Sequence, residues 1–76
     1  MEDRVLKILG EVNDEILSYA GTNMVDDGLL DSFEIISLIG KLEDEFDIEI
    51  DAEYVTFENF ANKDTIIKMV AELLND

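Results

Sequence analysis

Asp31-Ser32-Phe33-Glu34 joins a long irregular stretch to a run with helical periodicity, which puts the Ser32 hydroxyl at a helix start. A serine there suits one kind of chemistry well, the anchoring of a covalent phosphodiester. That chemistry needs an exposed hydroxyl on a rigid element with free backbone N–H groups close by. The first turn of a helix supplies those groups, and the positive end of its dipole tolerates the added phosphate. The alternative for Ser32 is an ordinary helix N-cap. Nucleophilic catalysis is poorly provided for, because the chain has no His to act as base and no Cys. The neighbouring acids do not help a phosphate and read better as handles for a basic modifying enzyme.

The other chemistry-bearing side chains are carboxylates. Asp47, Glu49, Asp51, Glu53 and Glu58 fall at positions 1, 3, 5, 7 and 12 of a calcium-binding EF-hand loop. Position 6 of such a loop needs a Gly for its sharp turn, and here it is Ala52. Loose divalent binding by the whole acidic surface is the expectation, and a dedicated metal site is not. Twenty acids against five bases give a formal charge of −15, which opposes binding to nucleic acid or to an anionic membrane surface. The same charge favours partners with basic patches, found quickly because opposite fields steer encounters.

The elements that position these groups follow from apolar spacing. With 76 residues, 47% of them apolar, there is room for one domain over 1–76 and one modest core. Without Cys or His the fold must rest on packing alone. Val5, Leu9, Val12, Ile16 and Tyr19, widened by Leu6, Ile8 and Leu17, predict one helix over 3–19. Residues 20–31 form the longest irregular stretch, punctuated by Gly21, Asn23 and Gly28. Its Met24, Val25, Leu29 and Leu30 are expected to hold it against the body.

A second helix starts at Asp31 or Ser32 and runs to about 46, with Ile35, Leu38, Ile39, Leu42 and Phe46 inward. Residues 47–51 alternate like a strand but have no partner, so an extended linker anchored by Ile48 and Ile50 is expected. A short helical turn is expected over 56–60 with Phe57 and Phe60 inward. A last helix follows from about Asn62, with Ile66, Ile67, Val70, Leu73 and Leu74 as its stripe. The fold class is all-α, a bundle of three main helices plus one short one. No apolar run reaches the ~18 residues that a span requires. The start, Met1-Glu2-Asp3-Arg4, lacks a signal peptide's basic and apolar regions. A cytoplasmic monomer is the expectation.

Gly28-Leu29-Leu30-Asp31-Ser32-Phe33-Glu34 resembles the Asp-Ser-Leu attachment motif of acyl carrier proteins, and more closely the Gly-Leu-Leu-Asp-Ser-Phe stretch of D-alanyl carrier proteins. Leu42-Glu43-Asp44-Glu45-Phe46-Asp47-Ile48, followed by Ile50, is similar to the end of that family's second helix. Glu58-Asn59-Phe60 onward to Ile66 is similar to the start of its last two helices. The resemblance covers nearly the whole chain in order and spacing. It implies a four-helix bundle in which Ser32, preceded by Asp31, receives 4′-phosphopantetheine from coenzyme A. The arm's thiol would carry acyl or aminoacyl groups as thioesters. The implied partners are a phosphopantetheinyl transferase, a loading ligase, and downstream transferases or synthases. Phe33 stands where most such carriers have Leu, and Ser37 and Gly40 replace an acid and a Met common in fatty-acid carriers. These departures lean toward a specialised pathway over housekeeping fatty-acid synthesis.

The helical wheel separately supplies a partner face. At about 100° per residue, Phe33 and Gly40 lie nearly opposite the buried stripe, with Ile36 between them and Ser32. Phe33 and Ile36 are expected as apolar anchors, Gly40 as a notch, and Glu34, Glu43 and Asp44 as a charged rim. A plain interaction module with an unmodified serine is the competing reading of the same face.

Overall fold

The computed structural model describes residues 1–75, and no strand occurs among them. Four α-helices, α1 (Glu2–Val12), α2 (Glu15–Ser18), α3 (Ser32–Phe46) and α4 (Lys63–Leu74), and a 3₁₀ turn at Ala52–Tyr54 make up the body. The all-α bundle expected from apolar spacing is the fold observed.

The single helix expected over 3–19 is broken at Asn13. Its backbone swings to an extended conformation (φ −163°, ψ 109°), and its Oδ1 accepts the Glu15 N–H at 3.0 Å to start α2. Asparagine competes with the backbone for hydrogen bonds, which favours interruption over continuation. Apolar periodicity is blind to this break, because Ile16 in α2 is buried in the same core as Val5, Ile8 and Leu9 of α1. Leu17, expected to widen the stripe, is exposed. Near its N-terminus α1 is tied to the end of α3. Arg4 donates from Nε to the Glu45 carboxylate (2.7 Å) and from its terminal nitrogen to the Glu45 carbonyl (2.9 Å). Its guanidinium lies 4.8 Å from the centre of the Phe46 ring.

In α3, Leu38 and Leu42 are fully buried, while Ile35, Ile39 and Phe46 pack at the core's edge. The helix stops at Asp47, which takes the left-handed conformation (φ 52°, ψ 49°) that Asp tolerates better than most residues. The linker that follows has no regular secondary structure and buries Ile50. It needs no partner strand, because the Glu43 carboxylate accepts the Ile50 N–H at 2.9 Å.

Helix α4 opens on Asn62, whose side chain accepts the Thr65 N–H (3.0 Å) while Thr65 Oγ1 accepts the Asn62 N–H (3.2 Å). This reciprocal cap satisfies two backbone donors that would otherwise be orphaned. Ile66, Met69 and Val70 are buried. Met69 therefore joins the expected stripe, and Leu74, in the last turn, faces out. The short helical turn expected over 56–60 is present as a single hydrogen-bonded turn, in which the Phe60 N–H reaches the Thr56 carbonyl at 3.2 Å, and a separate 3₁₀ turn lies upstream at Ala52–Tyr54. Phe60 is buried as expected, but Phe57 is 62% exposed. The acids of 47–58 do not converge either: among the described residues no three potential metal-ligating side chains cluster. No helix among them is long and apolar enough to cross a membrane.

Candidate functional site

Ser32 is the first residue of α3, and it is exposed. The residue before it does the capping. Asp31 Oδ1 accepts the Glu34 N–H at 2.8 Å, and Glu34 Oε1 accepts the Asp31 N–H at 3.2 Å. The Ile35 N–H reaches the Asp31 carbonyl at 2.9 Å. Asp31 therefore carries the cap, and the Ser32 hydroxyl makes no hydrogen bond among the described residues. The N–H groups of Ser32 and Phe33 are the two first-turn donors left open to solvent, as the start of a helix requires. A phosphodiester on Ser32 Oγ fits this arrangement, with a free acceptor oxygen for the bond and helix-end donors beside it. The cost is nearby negative charge, since both carboxylates of the capping box lie within the same turn.

Along the outer face of α3 the ring of Phe33 is 85% exposed and Ile36 is 68% exposed. Residues three and four apart on a helix are neighbours, so Phe33, Ile36 and Gly40 form a continuous strip running away from Ser32. A Cβ added at Gly40 would meet no atom within 4 Å, so the strip is open at that point. The acids expected at its rim differ from one another. Asp44 is exposed. Glu34 and Glu43 are partly buried, and each carboxylate accepts a backbone N–H, Glu34 in the cap and Glu43 from Ile50.

On the other flank of α3, one turn beyond Ser32, Ile35 forms part of a groove of about 340 Å³ with Val25, Val55, Thr56, Phe57, Glu58 and Phe60. Apolar spacing pointed neither to this groove nor to exposed Val55 and Phe57 at its edge. The one available signal was the presence of two aromatic residues, Phe57 and Phe60, in one short segment.

An all-helical body, over the described residues, that holds out an unengaged serine hydroxyl at a helix start beside exposed apolar side chains has the form of a carrier. The chain shares 30% identity over 74 residues with D-alanyl carrier proteins of Bacillus cereus (strains B4264 and AH187) and Bacillus anthracis (strain CDC 684 / NRRL 3495). The alignment spans 95% of this chain and 94% of each relative. No protein-family model matches the chain. The chain belongs to the family of phosphopantetheine carrier proteins, whose members are non-catalytic and work with partner enzymes.

Proposed function

We propose that this chain, as a single domain over 1–76, carries a small acyl group as a thioester on a 4′-phosphopantetheine arm attached to Ser32. The observation that carries this reading is the division of labour at the start of α3. Asp31 caps the helix and leaves the Ser32 hydroxyl exposed and without a structural partner. In the attachment, Ser32 Oγ bonds to a phosphorus of coenzyme A, the bond to the adenosine bisphosphate half breaks, and the hydroxyl proton passes to the transferase. The arm, when attached, supplies a thiol that holds the cargo as a thioester. The protein's own residues hold the attachment point rigid and present a surface for recognition.

Within this reading, an aminoacyl cargo in a specialised pathway is favoured over a fatty-acyl or polyketide one, because the relatives are D-alanyl carriers. Phe33 and Ile36 would anchor partner enzymes, with Gly40 as a notch beyond them and Glu34, Glu43 and Asp44 as the charged rim. The partners are a phosphopantetheinyl transferase, a loading ligase that activates the carboxyl group, and downstream transferases with basic patches. The protein would act as a monomer in the cytoplasm.

Co-expression with a phosphopantetheinyl transferase followed by intact-mass measurement tests the attachment. One arm's mass should be gained by the parent chain and none by Ser32→Ala. Labelling that persists in Ser32→Ala, or moves to Ser18 or Ser37, overturns the assignment. Incubating the arm-bearing protein with ATP and an aminoacyl or fatty-acyl ligase then separates the two kinds of cargo.

A further inference from the structure

The loop over 20–31 leads straight into Ser32, and the broken first helix supports it from two residues. Asn13, the residue that interrupts the helix, donates from Nδ2 to the Leu29 carbonyl at 3.1 Å, three residues before Ser32. Leu29 and Leu30 both direct their N–H groups to the Met24 carbonyl (2.9 and 3.3 Å). Asn13 is the hydrogen-bond partner of the Leu29 carbonyl among the described residues, and the bond is partly buried. On the far side of Gly28, which turns the chain at φ 79°, Tyr19 donates its hydroxyl to Asp27 Oδ2 at 2.5 Å. Partial burial first, and then this bond to a carboxylate, raise the Tyr19 hydroxyl above its ordinary pKa. Gly21 permits the contact, because a Cβ there would collide with the Tyr19 hydroxyl.

We propose that Asn13 and Tyr19 are positioning residues for the modification of Ser32, holding the loop on either side of Gly28 in the shape a modifying enzyme must cover. The inference rests on the reading of Ser32 as the attachment site. Helix α3 is fixed by its own buried leucines and cap, so losing a brace leaves the hydroxyl in place. What changes is the surface beside it. A partly buried carbonyl without its donor seeks water or another partner, and the loop over 25–31 must rearrange to provide one. The effect should therefore fall on encounter and docking, read as KM, with kcat largely kept.

The test compares the parent chain with Asn13→Asp and Tyr19→Phe. Asn13→Asp keeps an oxygen to accept the Glu15 N–H, so the helix break survives, but it replaces the donor to Leu29. Tyr19→Phe keeps the ring and removes one surface hydroxyl, so it will fold even if the first variant does not. Arm-transfer kinetics are measured well below each melting point with coenzyme A and a phosphopantetheinyl transferase, alongside amide NMR spectra. The expected result is a KM for the carrier raised on the order of tenfold, a typical cost of losing a docking contact, with shift changes concentrated over 25–32. Both variants modified with the parent's KM, or a lowered melting point with KM unchanged in the folded protein, would overturn the proposal and leave the braces merely structural. A parent chain that gains no arm at all defeats the carrier reading itself, a separate failure visible before any variant is compared.

Discussion

Phe33 is the residue whose exposure burial does not explain. An apolar ring 85% exposed contributes little to folding, so Phe33→Ala should change stability by less than about 0.5 kcal/mol. A buried Phe truncated in the same way would cost ~3–5 kcal/mol. In the proposed role of an anchor beside the arm, the ring would matter to docking, and its loss should weaken transfer by ~1–2 kcal/mol. Chemical denaturation paired with transfer kinetics reads both quantities, and a Phe33→Ala protein that is badly destabilised yet loads normally would remove the docking face. Ser32 is argued in the same way. Because Asp31 and not Ser32 is the N-cap, Ser32→Ala should leave the melting point within about 2–4 °C of the parent's, as expected for a surface change of under ~0.5 kcal/mol. Asp31→Ala, which removes the cap, should cost about 1 kcal/mol.

At the scale of elements, the end of α3 depends on a side chain that pattern alone would assign to the surface. Glu43 holds the linker by accepting the Ile50 N–H, while its neighbour Asp44 is exposed. Removing the acceptor leaves a partly buried backbone donor, so Glu43→Ala should destabilise by about 1–2 kcal/mol. Asp44→Ala should stay within about 0.5 kcal/mol. Urea denaturation of the two variants distinguishes them, and equal small effects would mean that water replaces the Glu43 bond without loss. For the partner face, this makes Asp44 the cleaner site for charge reversal. Asp44→Lys can slow association without disturbing the linker.

At the scale of the whole molecule, charge outweighs any single contact. Fifteen net negative charges on 76 residues repel one another, and the close ion pair among the described residues, Arg4–Glu45, is exposed and worth little on its own. Salt shortens the range of this repulsion to ~10 Å at 0.1 M. The melting temperature should therefore rise with sodium chloride, and rise further with millimolar magnesium or calcium. A melt indifferent to both would show that the acids are already compensated. A sharp one-to-one calcium transition would instead reveal a specific site. The same surplus charge suits the proposed carrier role, in which steering would accelerate each encounter with a basic enzyme without holding it.

The sequence by itself determined what depends on local pattern and on residue type. The 3.6-residue spacing of apolar side chains gave α3 and α4 nearly to the residue, because each helix buries one face and no more. The absence of His and Cys removed whole classes of chemistry. The motif around Ser32 pointed to a carrier, and relatives with 30% identity place the chain in that family. Tertiary structure decided whatever depends on which partner a group finds across the fold. Asn13 interrupts a helix that periodicity would continue, because its amide reaches both Glu15 and Leu29. Phe60 enters the core while Phe57, three residues earlier in the same segment, stays exposed, a difference set by how the segment sits on the body. Asp31 and Ser32 are both good caps by type, and only the folded geometry shows which of them caps and which hydroxyl is left free. A side chain's type is fixed by sequence, but its hydrogen-bond partner is set by distance, and distance between residues far apart in the chain exists only after the core has formed.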